Sequence, residues 1–164
     1  MPSITETLCT RCGLCCDGTL FGDVELTGPA EATRLERLGL DVDADDADLD
    51  LLALPCRALR GTRCSIYAQR PQCCRTFECR LLQDARSGAV AEDAALGRIA
   101  AARAQVTRVE TLLDGIGVRP GTRLPLAERV SDALTSAPVN NRRRRALAAA
   151  MADLSRTIRT TFLD

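Results

Sequence analysis

Histidine is missing from this 164-residue chain, and so are lysine and tryptophan. The first absence excludes most. It removes the Ser-His-Asp triad, the Cys-His pair, the HExxH metalloprotease and any histidine proton shuttle. A metal, if bound, must be held by sulfur or oxygen. Every one of the 22 basic residues is arginine, which with the abundant alanine and aspartate fits a GC-rich genome. Aromatic side chains are confined to Phe21, Tyr67, Phe77 and Phe162. Leu, Ala, Val and Ile must therefore carry the core, and a metal staple gains value where burial is thin. The formal net charge is zero, so there is no global pull toward nucleic acid or membrane. No apolar run approaches the roughly 20 residues that span a bilayer. Met1 to Leu8 has neither the basic nor the apolar region of a signal peptide, so a cytoplasmic location is expected.

What the chain does have is nine cysteines, all between Cys9 and Cys79. In a reducing compartment such a set points to metal ligands rather than disulfides. This composition shift suggests two lobes: a cysteine-cluster metal-binding lobe over 1–84 and a helical lobe over 89–164. The expected fold is mainly α, an irregular cysteine-rich lobe with short helices followed by a C-terminal helical hairpin.

Thr27 and Pro29 look like a helix entry, with Leu35 and Leu38 on one face and Gly39 at its end. Asp41 to Asp50 holds six aspartates. Asp46 and Leu52 stand where a calcium loop needs Gly and Glu, so the segment reads as an acidic loop leading into a short helix. Pro71 is placed to start a helix through Phe77 and Leu81 that stops before Gly88. Ala95, Ile99, Ala102, Val106, Val109 and Leu113 make one face of a long helix over 89–114. Pro125 opens a shorter helix with Leu126, Val130 and Leu134 in line. Asn140 or Asn141 caps a last helix bearing Leu147, Met151, Leu154 and Ile158. Such steps suit core packing or a homodimer seam. Arg142 to Arg145 oppose the dipole at that helix's start and read as a solvated face. Gly115-Ile116-Gly117 does not make a nucleotide fingerprint.

The first cysteine group is Cys9, Cys12, Cys15 and Cys16, a C-x-x-C-x-x-C-C run. A tight turn, eased by Gly13, brings thiolates at this spacing to one centre. Three in series form the local half of the bacterial iron–sulfur pattern, completed by a remote cysteine. Neighbouring side chains point apart, so one of Cys15 and Cys16 serves the same centre as Cys9 and Cys12, and the other turns to a second site or contributes from another side. The second group is Cys56, Cys64, Cys73, Cys74 and Cys79. On one continuous helix Cys74 and Cys79 would lie about 140° apart at ~100° per residue. They would serve one site only if the helix broke between them.

The run C-x-x-C-x-x-C-C, a middle cysteine, and then C-x-I-Y-x-x-R-P-x-x-C-R-x-F resembles the YkgJ-type cysteine-cluster family, described as zinc- or iron-chelating. The resemblance covers Cys9 to Cys79. It places Cys9, Cys12, Cys15, Cys16, Cys56, Cys64, Cys74 and Cys79 on the family's cysteines, with Ile66, Tyr67, Arg70, Pro71, Arg75 and Phe77 completing the signature. Cys73 departs from the pattern, as a spare thiol or substitute ligand. The resemblance implies metal binding more firmly than a reaction. The same motif occurs in larger flagellin lysine methylases, where it accompanies a [4Fe-4S] cluster and methyl transfer from S-adenosylmethionine.

Sulfur-only ligation suits an iron–sulfur cluster or zinc. The serial C-x-x-C-x-x-C, the absence of histidine and the methylase precedent favour a [4Fe-4S]-type cluster. Zinc in a structural interaction module is the alternative, and a cluster-dependent methyltransferase-related enzyme is a third. Tyr67 and Phe77 are expected to pack around the site. Arg70 and Arg75, with Arg11, Arg57 and Arg80, are placed either to balance thiolate charge or to pair with carboxylates. The partner expected is a protein or redox enzyme.

Overall fold

The computed structural model describes residues 1–44, 49–117, 123–136 and 140–164. Helix dominates. The elements run α1 (Ile4–Cys12), β1 (Asp23–Glu25), α2 (Pro29–Arg37), β2 (Val42–Ala44), β3 (Asp50–Ala53), β4 (Leu59–Arg60) and β5 (Arg63–Cys64). After a 3-10 turn at Tyr67–Gln69 come α3 (Gln72–Thr76), α4 (Arg80–Ser87), α5 (Glu92–Asp114), α6 (Leu126–Ser136) and α7 (Asn141–Ile158), and a π-helical turn, Arg159–Leu163, ends the chain. No helix among the described residues is long and apolar enough to cross a membrane.

The acidic segment leads into a strand, not a helix. Asp45, Asp46 and Asp48 lie outside the described residues. Beyond them β3 is the central strand of a small antiparallel sheet, flanked by β1 and β2. Pairing on both edges satisfies its backbone, and Leu52 is buried against Leu26, Ala32, Leu35 and Leu40. A four-residue strand carries too few residues for period-two alternation to outweigh an aspartate run.

α2 ends as its glycine dictates. Gly39 has φ +82°. Its N–H donates to the Glu36 carbonyl, and the Leu40 N–H donates to the Leu35 carbonyl, the paired bonds of a Schellman stop. Leu35 is buried, but Leu38 faces solvent. Thr27 does not cap this helix; Gly28 occupies the cap position. The Thr27 N–H and hydroxyl both donate to Glu31 Oε2, each at 3.0 Å. Glu31 Oε1 accepts from the Gln72 N–H at 2.9 Å, so one carboxylate ties the start of α2 to the start of α3.

Burial pushes the Glu31 carboxyl up, and the bonds from Thr27 and Gln72 more than offset it, leaving its pKa below the usual range. A depressed folded pKa contributes stability that is present above the unfolded value and lost as pH falls through the folded one. Glu31→Gln is therefore expected to cost about 1–2 kcal/mol at neutral pH. The deficit should shrink under acid in urea melts run across that titration.

The helical lobe is antiparallel in its long members. Arg143, at the start of α7, donates to the Gly115 carbonyl at the end of α5, at 2.8 Å. At the other end Phe162 packs with Ala95, Ile99 and Ala102. Asn140 caps α7 by accepting from the Arg143 N–H at 2.9 Å. The arginine run is thus not only a solvated face. Arg143 and Arg144 reach carbonyls at the ends of α5 and α6, where positive charge complements the helix dipole. Arg129 of α6 grips Glu110 of α5 through two bonds of 2.7 Å.

α5 takes part in two separate clusters of buried side chains. Its second half, with Val109 and Leu113, packs against α6 and α7. Its first half packs against α1 and α4 through Leu8, Cys12, Leu14, Leu81 and Leu82. The helices that carry Cys9, Cys12 and Cys79 therefore lean on α5, while Cys56, Cys64 and Cys73 pack against the small core of the sheet and α2.

Candidate metal centre

α1 begins at Ser3, whose Oγ accepts from the Glu6 N–H at 3.2 Å. It carries Cys9 and Cys12 one turn apart, on the same side. The first cysteine run is therefore part helix rather than a series of tight turns, and only Cys15 and Cys16 lie in the turn that follows. Gly13 makes that turn possible. Its φ is +71°, and a Cβ placed there would sit 3.1 Å from the Thr62 Cα. Gly13→Ala is expected to cost about 2 kcal/mol, chiefly from the left-handed backbone. Because it displaces Cys12 relative to Cys15, it should also lower metal content; denaturant melts with metal analysis check both.

Two distant side chains fix the exposed carbonyls at the end of α1. Arg103 of α5 donates to the Cys12 carbonyl at 2.6 Å and lies 3.7 Å from Asp17. Thr62 donates to the Thr10 carbonyl at 2.6 Å. Neither had a local signal in the sequence, since the partners lie 91 and 52 residues away.

The second cysteine group arrives from several elements. The Cys56 N–H donates to the Cys16 carbonyl at 2.8 Å, and Cys56 Sγ accepts from the Ala58 N–H at 3.4 Å. Cys64 stands opposite Leu59 in the β4–β5 hairpin. The single helix expected after Pro71 is broken. α3 stops at Thr76, Phe77 and Cys79 are extended, and α4 starts at Arg80. Phe77 turns out of the helix to meet Phe21 edge-on, with ring centroids 5.2 Å apart. The break removes the angular separation a continuous helix would impose and brings Cys74 and Cys79 to the same cavity.

That cavity, of about 180 Å³, is lined by all nine cysteines. Tyr67, Arg70, Arg75 and Phe77 line it too, and Glu78 is the one carboxylate among its described lining residues. Arg70 stacks over the Tyr67 ring at 3.7 Å and donates to the Tyr67 and Cys74 carbonyls. Arg75 donates to the Arg70 and Ala68 carbonyls. Arg57 and Arg80 pair instead with Asp41 and Asp84.

Burial pushes Cys12 and Cys16 up to about 12, and burial also raises Cys9, Cys15, Cys56 and Cys79. Cys73 and Cys74, with sulfurs 4.0 Å apart, share a hydrogen bond. That bond lowers Cys73 and raises Cys74. Metal must displace these protons, so binding weakens as pH falls.

The donor set fits a thiophilic metal: sulfur surrounds the cavity, and the chain has no histidine to compete. Four thiolates about a zinc ion at about 2.3 Å must approach to roughly 3.8 Å of one another. Among the described residues no group of three Cys, Asp or Glu side chains is already placed to hold a metal ion. The volume exceeds the ~150 Å³ of a cavity that accepts benzene.

Residues 8–97 match the model of the CxxCxxCC family, a putative zinc- or iron-chelating domain. The chain belongs to the CxxCxxCC family. It is a metal-binding protein of the cysteine-cluster type. No curated protein and no solved structure matches it at a significant level. The CxxCxxCC match ends inside the first turns of α5. Arg103 and Phe162, which brace the cysteines from outside it, therefore belong to the part of the chain beyond the family's domain.

Proposed function

We propose that the protein holds a [4Fe-4S]-type cluster on cysteine thiolates and uses it for electron transfer, or to serve a group-transfer enzyme as partner. The observation that carries this reading is the convergence of the C-x-x-C-x-x-C run, on α1 and the turn after it, and the remote Cys79 on one cluster-sized cavity. Three serial thiolates and one distant one match iron–sulfur ligation. Tyr67 and Phe77, each 40% exposed, stand at the cavity lining and offer a surface where a redox partner can approach. Arg70 supplies positive charge beside the thiolates; it lowers the pKa of Cys9, against the larger effect of burial. A reducing, cytoplasmic location keeps the thiols available.

Anaerobically prepared protein should show visible absorption that bleaches on reduction and an electron paramagnetic resonance signal in the reduced state. Colourless protein carrying stoichiometric zinc and no iron would replace this reading with a structural zinc module, which the family's zinc-or-iron description also accommodates.

A further inference from the structure

We propose that the mouth of the cysteine cavity is a docking surface for the acidic face of a partner protein. Arg63 and Arg75 meet the partner's carboxylates, and Tyr67 and Phe77 form the apolar centre of the contact. The inference rests on the proposed function above and names the chemistry of the partner that reading calls for.

Four of the described residues that line the cavity are exposed, and they are Arg63, Tyr67, Arg75 and Phe77. The cysteines behind them are buried or half-buried. The chain has only four aromatic side chains, and two of them stand exposed at this mouth. Neither ring is loose. Arg70 stacks on Tyr67 at 3.7 Å, and Phe77 meets Phe21 edge-on. Fixed aromatic rings beside arginine are the composition of protein interface centres and their hot spots.

The charge here has one sign. Glu78, the one carboxylate in the described lining, is paired with Arg86. Arg70 and Arg75 donate to backbone carbonyls, which leaves their charge uncancelled. No side-chain hydrogen bond or ion pair holds Arg63 among the described residues. Across the β4–β5 hairpin Arg63 stands directly opposite Arg60, and like charges so placed are destabilising. A negative surface meeting them removes that cost. Thiolates of a loaded centre offset part of the charge from within, while the exposed guanidinium groups of Arg63 and Arg75 still face an approaching surface. A nucleic acid would also bring negative charge. It asks for a basic stripe that tracks several phosphates, and two exposed arginines in a chain of zero net charge do not make one.

The test uses the full chain, metal-loaded and prepared anaerobically, with flavodoxin as probe, a small acidic one-electron carrier. Cytochrome c, a basic carrier, and a single-stranded oligonucleotide are the comparisons. Calorimetry and amide-shift mapping should place flavodoxin on the Arg63, Tyr67, Arg75 and Phe77 surface. Its binding should weaken about tenfold or more between about 20 and about 300 mM salt. Arg63→Glu should weaken binding about fivefold or more. It sets an opposite charge across from Arg60, so the fold should hold. Tyr67→Ala should weaken binding and leave its salt dependence in place, the mark of an apolar contact. Arg108→Glu, on α5 and outside the described lining, makes the same change in net charge and should leave binding unchanged. Circular dichroism on each variant separates lost docking from lost fold. Absence of flavodoxin binding overturns the docking surface. So does binding that Arg63→Glu leaves intact or that Arg108→Glu weakens equally, and so does preferential binding of cytochrome c or the oligonucleotide. Metal and sulfide counts on the same samples keep the two readings apart. A zinc protein that binds flavodoxin in this way retains the surface and loses the cluster; a cluster-bearing protein that does not bind loses the surface alone.

Discussion

Removing the metal should melt the cysteine lobe and leave the helical lobe standing. Expected with a thiol-competing chelator under anaerobic conditions is a fall of more than ~10 °C in the melting of the first half, with the helicity of α5 and α7 largely kept. Size decides this outcome. Strands β1 to β5 have two to four residues each, too short for independent stability. Their core consists of Leu26, Ala32, Leu35, Leu40, Leu52 and Ala58, with no aromatic among its buried members. Structural metal supplies apparent free energies of about 10–16 kcal/mol in small metal-dependent modules. Even ~5 kcal/mol moves the midpoint of a chain this size by roughly 10–20 °C. α5, α6 and α7 have their own cluster around Val109, Leu113, Leu147 and Leu154, which contains no cysteine. Amide exchange should therefore lose protection at β3 on chelation and keep it at Leu147 to Leu154.

Phe162→Ala is the second large effect, at about 3–5 kcal/mol. Phe162 is the largest fully buried side chain, 1% exposed. It sits in the π-helical turn that ends the chain, packs with Leu8, Leu14, Leu81 and Ile99, and lines the cysteine cavity. No other aromatic is buried, so the cost depends on how far Leu8, Leu14, Leu81 and Ile99 can close on the void. The variant should lose stability in denaturant melts and hold its metal less tightly, because α1 and α4, which carry Cys9, Cys12 and Cys79, lose their shared backing. Phe162→Leu, which keeps most of the volume, should recover most of both. Full stability in Phe162→Ala would show that the C-terminal turn does not support the site.

Much of this architecture was legible in the residues, and what was not has physical causes. The face of α5 is read directly: Ala95, Ile99, Ala102, Val109 and Leu113 are all buried. Over 23 residues a 3.6-residue period accumulates. Asn140 caps and Gly39 terminates because those positions need a side-chain acceptor and a left-handed residue, respectively. The cysteine pattern pointed to metal because thiolates in number, without histidine, have few other uses. The failures are short or non-local. β2 and β3 are hidden in the aspartate run, since pairing between strands supplies what local propensity does not. The break between α3 and α4 accompanies the contact of Phe77 with Phe21, which are 56 positions apart in the numbering. Thr27, which resembles a cap, gives its hydrogen bonds to Glu31, whose other oxygen accepts from the Gln72 N–H. Arg103 and Thr62 act on carbonyls of α1, and backbone carbonyls leave no mark in a sequence.

Metal-edge X-ray absorption on the anaerobically purified chain tests the central claim most directly. Thiolate ligation from this cavity predicts a first coordination shell made of sulfur, near 2.3 Å if the metal is zinc, with no nitrogen or oxygen contribution. Iron–iron scattering should accompany it if the cluster is present. A shell of oxygen ligands, or protein that holds no metal when prepared without air, would contradict it.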